Sequence, residues 1–289
     1  MQEDTTALDR LQQAVEARDW ATVRFEGEAL LGGLAKETAS AAAAGIHYLV
    51  ADAILTGGIR TELDVESACQ HLRVAVTGLS SPEERAAAYV MLADLLRRFR
   101  PRGSPAFEEA LTAVDRALDL LPCETNPSAC GDARFTRGRV LESLGPSDLP
   151  TREQACAEFE AAVAAYGNGS SAFNRGTAAY HAGRMLLEVT PGDAAARARA
   201  KQYLETAHRA YTAAGLDAEA ADAATLLDRL EPSMPVQDPP AGGGASAAGA
   251  ERVPPELHAA AMDGMRSPEL RRIFLQSFRP VRPSLPSAI

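Results

Sequence analysis

A small-residue stripe that returns at a fixed interval constrains this chain more than any other feature. Residues Ala106–Pro122 read AFEEALTAVDRALDLLP. Wound as a helix, they put Ala110, Val114 and Ala117 on one stripe, with Leu111 and Leu118 beside it and Pro122 as the stop. Forty-five residues on stand Ala155, Phe159 and Ala162, and forty-five further Ala200, Leu204 and Ala207. Upstream, Ala68, Leu72 and Ala75 repeat the pattern, where Glu66-Ser67-Ala68-Cys69 echoes Glu153-Gln154-Ala155-Cys156. Alanines on a buried stripe let a neighbouring backbone approach closely, so each run reads as the second helix of a helix-turn-helix unit. A period of about 40–50 residues in an all-helical pattern predicts a stacked solenoid.

Composition agrees. Apolar residues make up 46% of the 289 but aromatics only 5%, so alanine supplies much of the burial, which suits close-packed helices and argues against a sandwich or barrel. The formal net charge of −10 disfavours duplex nucleic acid or an anionic membrane as partner. Met1-Gln2-Glu3-Asp4 is acidic and lacks the basic and apolar regions of a secretory signal. The most apolar run, Ala39–Leu55, is interrupted by Ser40, His47 and Asp52 and falls short of a spanning length. A cytoplasmic location is the expectation. Cys69 and Cys156, beside the alanine stripe, are expected to be small buried hydrophobes. Cys123 and Cys130 flank the loop CETNPSAC; they would pair in an oxidising setting and remain thiols in the cytosol.

The expected helices fall into pairs: Thr5–Arg18 with Trp20–Leu34, Thr38–Leu55 with Leu63–Thr77, and Pro82–Phe99 with Ala106–Leu121. Ser128–Leu144 follows with Arg152–Tyr166, then Ser170–Val189 with Ala194–Ala214, and Asp217–Leu230 as an unpaired cap. Pro146 and Pro150 are expected to forbid helix across Gly145–Thr151. Ser81-Pro82-Glu83 and Ser267-Pro268-Glu269 each carry a capping serine, a proline in the first turn and an early acid.

The first helices repeat as well. Gly138 and Gly145 are matched by Gly176 and Gly183, with Arg137 and Arg175 before the first of each, and Gly45 and Ala93 fill the equivalent small site earlier. In the third pair Tyr89, Leu92, Ala93 and Leu96 join Ala110-Leu111, Ala117-Leu118, Leu120 and Pro122. This set resembles the tetratricopeptide repeat over roughly 38–230. The resemblance implies an all-α, right-handed solenoid of about five antiparallel helix pairs and a capping helix over 1–230. It also implies that the first helix of each pair lines a concave face. The pairs run longer than the family's repeat of about 34 residues, Val114 and Leu204 replace its aromatic, and one unit alone keeps the closing proline.

Residues 231–253 are dominated by Pro, Gly, Ala and Ser and are expected to be a disordered linker reaching about 26 Å. Residues 254–289 are expected to form a short helical tail. Leu270, Ile273, Phe274 and Phe278 share one face there, and Pro280, Pro283 and Pro286 follow at polyproline II spacing. The tail carries net charge +2 against −12 for the rest, so it is expected either to dock in cis and gate the groove or to be presented to a partner.

No chemistry-bearing motif emerges. His47, His71, His181, His208 and His258 stand on separate segments without metal-ligand spacing, and no nucleophile has an identifiable base. No catalytic residue, metal or cofactor is expected. The row beside each packing stripe gives three rungs of a groove: Val90, Asp94 and Arg97; Phe135, Arg139 and Glu142; Phe173, Thr177 and Tyr180, with Asn174 and His181 adjoining. The resemblance implies that such positions hold a peptide, although among them Asn174 alone matches the family's clamp for a terminal carboxylate. Phe135 and Phe173 also fit plain packing between units. Arg97, Arg98, Arg100 and Arg102 read equally as a solvated helix end or, with Arg134, Arg137 and Arg139, as a groove mouth that attracts an acidic peptide. The expected function is a non-catalytic scaffold or adaptor binding a protein segment. A regulatory subunit taking a small ligand or signalling peptide, or a structural subunit of a larger assembly, are the alternatives.

Overall fold

The computed structural model describes residues 2–33, 41–145, 148–167 and 172–230. Among these residues there are eleven helices and no strand. They are α1 (Gln2–Ala17), α2 (Trp20–Gly33), α3 (Ala41–Gly57), α4 (Glu62–Gly78), α5 (Pro82–Phe99) and α6 (Pro105–Leu120). Then come α7 (Pro127–Leu144), α8 (Leu149–Tyr166), α9 (Ala172–Val189), α10 (Ala194–Ala213) and α11 (Asp217–Asp228). Each helix packs against the next along the whole order, and α5 also packs against α7. The linker and tail, with Leu270, Ile273, Phe274 and Phe278, lie outside the described residues.

Local chemistry sets the helix starts. Ser81 accepts the Glu84 N–H at 3.2 Å and Pro82 opens α5. Asp148 accepts the Thr151 N–H at 3.0 Å ahead of α8, and Asp193 the Ala195 N–H at 2.9 Å ahead of α10. Thr61 and Asp64 close a reciprocal capping box at α4. The expectation that Pro150 forbids helix is corrected: α8 starts at Leu149 and takes Pro150 into its first turn. Pro105 and Pro127 sit in the same place in α6 and α7. An amide in the first turn has no partner inside the helix, so a residue without N–H costs nothing there. The α1–α2 turn falls on Arg18, whose φ of 57° makes it the one non-glycine residue with positive φ among the described residues.

The repeated stripe is the core. Ala68, Leu72, Ala75, Ala110, Val114, Ala117, Ala155, Phe159, Ala162, Ala200, Leu204 and Ala207 have no exposed surface. Opposite them, glycines let backbones close in. An added Cβ on Gly138 would stand 2.7 Å from the Phe159 ring, and one on Gly176 would stand 2.3 Å from the Ala210 Cβ. Two apolar clusters fill the array, one running from α1 into α7 and the other from α7 to α11, and Leu111 packs against both. Burial is thus continuous and has no single centre, as stacking predicts.

Cys69 and Cys156 are free and buried, as expected. Cys123 and Cys130, whose redox state the sequence leaves open, form a disulfide, with Cys130 inside α7. The short α6–α7 connection, with Thr125 and Asn126 N–H both bonded to the Pro122 carbonyl, brings the two Cα atoms to 5.2 Å. No helix among the described residues is long and apolar enough to cross a membrane.

Candidate functional site

The residues singled out for a groove lie on α5, α7 and α9. Burial splits them. Val90, Phe135, Phe173, Asn174 and His181 are buried, while Asp94, Arg97, Arg139, Thr177 and Tyr180 keep part of their surface. Phe135 packs 5.7 Å from the Phe159 ring and 5.4 Å from His181, and Phe173 packs 6.2 Å from Tyr211. Tyr180 meets His181 at 5.7 Å and Tyr211 at 6.2 Å. The Thr177 hydroxyl donates to the Phe173 carbonyl at 3.1 Å.

What joins α7 to α9 is a polar ladder. The Asn174 amide donates to Asp132 at 3.3 Å, Arg139 Nη1 donates to His181 Nε2 at 2.8 Å, and Arg184 donates to Glu142. All three rungs join residues 42 apart. The glycines that mark equivalent places in these two helices are 38 apart, Gly138 with Gly176 and Gly145 with Gly183. The contacts therefore fall one helical turn beyond the repeat-equivalent residue. Reading equivalence as contact missed Asp132 and Arg184. The available signal was the polar character of positions 132, 139 and 142 together with 174, 181 and 184.

At the centre of the ladder, charge is unevenly matched. Arg97 donates to Asp94 at 2.6 Å and Arg98 at 3.3 Å. Burial alone would raise the Asp94 carboxyl, but the two guanidinium groups hold it down at about 2. Glu142 is likewise held at about 2, against the effect of burial, by Arg184 and Arg139. Arg184 is doubly matched, to Glu142 and to Glu188 at 2.6 Å. Arg139 is not. Its one hydrogen bond among the described residues goes to a histidine, and the Glu142 carboxylate stands 3.6 Å from its Nε. Burial, with Arg97 next, lowers its proton affinity to about 10 despite Glu142.

The tautomer of His181 follows from its neighbour. A guanidinium only donates, so Nε2 is the bare nitrogen and Nδ1 carries the proton. That N–H points toward Glu142 Oε2 at 3.9 Å, too far for a hydrogen bond. Burial and then Arg139 hold His181 well below the ordinary histidine range, so the ring is neutral. Among the described residues, Arg139 Nε, Arg184 Nε and His181 Nδ1 are all buried without an acceptor. Each such donor costs about 1–3 kcal/mol. Three in one place make the floor between α7 and α9 rich in donors and short of acceptors.

The basic knot is spent within the chain elsewhere. Arg100 pairs with Glu62 and Glu66, Arg134 with Glu158, and Arg137 with Asp115 and Glu158. At the far end of the ladder, Asp132 accepts from the Tyr166 hydroxyl at 2.6 Å as well as from Asn174. Burial raises its carboxyl to about 7, and these two donors only partly offset it.

No protein-family model matches the sequence, and a comparison with curated proteins finds no match. Among solved structures the chain is similar to the crystal structure of BtubC (BKLC) from P. vanneervenii, at 15% identity and a TM-score of 0.39. The match covers 87% of this chain and 98% of that one. At that TM-score the likeness carries no argument about function.

Proposed function

We propose that this chain is a non-catalytic, tetratricopeptide-like scaffold that binds an acidic segment of a partner protein across α5, α7 and α9. The observation behind this reading is the acceptor deficit around Arg139. Its Nε is buried without a hydrogen bond among the described residues, with Glu142 Oε2 3.6 Å away, and a carboxylate entering beside the guanidinium would supply the acceptor this cluster lacks. A carboxylate there would neutralise the one poorly matched guanidinium of the cluster. Asp94, Arg97, Thr177 and Tyr180 would form the surrounding contact surface. The buried Val90, Phe135, Phe173, Asn174 and His181 would serve to hold the helices at the right separation. The same reading takes the solenoid as right-handed and the protein as cytoplasmic, with the tail over 254–289 as a second docking or gating element.

A peptide array tests this, using acidic 15-residue segments beside copies with Glu and Asp changed to Gln and Asn. Binding that needs the acids and is lost in Arg139→Gln supports the reading. Equal capture of both sets rejects it. A chain ending at Leu230 binds more weakly if the tail is presented to partners and more tightly if it gates the groove. The reading as a sensor of a small ligand draws on the same donors, and on the depth of Arg139, whose side chain is only 12% exposed. Acetate or glutarate competing away the peptides at low concentration would favour it.

A further inference from the structure

On α3 and α4, away from the groove, two histidines meet. His47 and His71 face each other with their Nδ1 atoms 2.7 Å apart, their ring centroids 4.9 Å apart and their planes at 46°. Such an approach needs a proton on one Nδ1 and a bare lone pair on the other, which excludes two imidazolium rings. One Nδ1 lone pair is therefore already bare, and the two nitrogens face each other across 2.7 Å. Neutral imidazole is the metal-binding form of histidine.

We propose that His47 and His71 bind one borderline divalent d-block cation, Cu²⁺, Zn²⁺ or Ni²⁺, between α3 and α4 through their two Nδ1 atoms, with water completing the shell. The proton between the rings moves to Nε2 of the ring that carried it, so both Nδ1 lone pairs become free with no net change of charge. Two nitrogens each about 2.0–2.1 Å from an ion at a tetrahedral angle lie about 3.3 Å apart. The rings must therefore part by about 0.6 Å from their 2.7 Å contact. Both side chains are half-buried rather than sealed, so rotation within the cleft can supply that, and solvent reaches the pair. Imidazole nitrogen selects these ions over Mg²⁺ and Ca²⁺, which take oxygen ligands.

The charged groups that act on His71 are Glu28 and Arg24 of α2, which oppose each other, and Arg24 is itself held by Glu28 at 3.0 Å and by Asp64 at 2.8 Å. Among the described residues no group of three or more His, Cys, Asp or Glu is placed to hold an ion. The site therefore has two protein ligands and open positions, unlike a closed structural zinc site. An ion there would clip α3 to α4 and stabilise the fold by mass action. The proposal does not depend on the groove, and its failure would leave the scaffold reading untouched.

The test uses the full chain without a polyhistidine tag. Cu²⁺ is titrated in and followed by electron paramagnetic resonance, and thermal unfolding is recorded with Zn²⁺, Ni²⁺ and Mg²⁺. The expected result is one equivalent of Cu²⁺ with two nitrogen ligands, a melting point raised by Zn²⁺ and Ni²⁺, and no shift with Mg²⁺. His47→Gln and His71→Gln should each weaken binding by roughly tenfold or more and leave one coordinated nitrogen, while His208→Gln should change nothing. A wild-type spectrum without a coordinated imidazole pair overturns the proposal even if a variant fails to fold. So does a folded single variant that binds as wild type, or binding that appears only at millimolar metal.

Discussion

Replacing Gly176 by alanine adds one methyl group at the closest approach between α9 and α10. In an open helix interior that change would stabilise the protein by up to about 1 kcal/mol, because glycine loses more backbone freedom on folding. Here the new Cβ would stand 2.3 Å from the Ala210 Cβ, and 3.7 Å and 3.8 Å from the Cα atoms of Ala210 and Ala207. A Cβ cannot rotate out of the way, so relief requires the helices to part by more than an ångström. Overpacking of this kind costs about 1–3 kcal/mol, and the added strain of moving two long helices puts the net effect at a loss of about 1–2 kcal/mol. Gly32, near the end of α2, has nothing among the described residues within 4 Å of the same added atom, so Gly32→Ala should be neutral or slightly stabilising. Urea unfolding followed by far-ultraviolet circular dichroism reads both, as a change of midpoint at constant slope. If Gly176→Ala unfolds at the same or a higher urea concentration than wild type, the close α9–α10 contact is wrong.

Other expectations follow from the same packing and charge arguments. Ala155→Leu should lower the urea midpoint by the equivalent of about 1–3 kcal/mol, since Ala155 has no exposed surface; an unchanged midpoint would put that stripe in solvent. Glu142→Gln should cost about 3–5 kcal/mol by removing the buried carboxylate that Arg184 and Arg139 both act on, whereas Arg139→Met should shift stability by about 1 kcal/mol or less; equal losses would refute the imbalance described at Arg139. Asp132 holds its proton up to about pH 7 in the fold against an ordinary value of 3.8. Its contribution is full below the unfolded value and lost as pH rises through about 7, so Asp132→Asn should gain on wild type as pH climbs from 4 to 8. Reduction of Cys123–Cys130, which closes a separation of 7 residues, should cost about 2 kcal/mol of stability by the loop-entropy relation, read as a lower urea midpoint with dithiothreitol than without.

The alanine stripes were legible in the sequence because the side chain that lets two backbones approach is itself the signal. Ala68, Ala110, Ala155 and Ala200 need no knowledge of their partner to be placed in a helix contact. The same holds for Ser81 and Pro82, since a cap acts within four residues of itself. Helix order, pairing and the continuous core followed from these local terms. α6, α7 and α8 begin at Pro105, Pro127 and Leu149, one to three residues before the expected starts, because a missing N–H is a defect inside a helix and harmless in its first turn.

Tertiary structure decided which polar residues meet. Gly138 and Gly176 fix equivalence between α7 and α9, but contact across those helices depends on their stagger, and one turn of it sends Arg139 to His181 and Glu142 to Arg184. Nothing within one helix records that stagger, so Asp132 and Arg184 stayed invisible. His47 and His71, 24 residues apart, meet because of the way the α3–α4 hairpin closes. The fate of the arginines was also nonlocal: Arg100, Arg134 and Arg137 found carboxylates on other helices, whereas among the described residues Arg139 bonds to His181 and has Glu142 of its own helix 3.6 Å away. Hydrophobic periodicity is a property of one segment and survives in the sequence. Charge compensation is a property of at least two segments, and only their packing creates it.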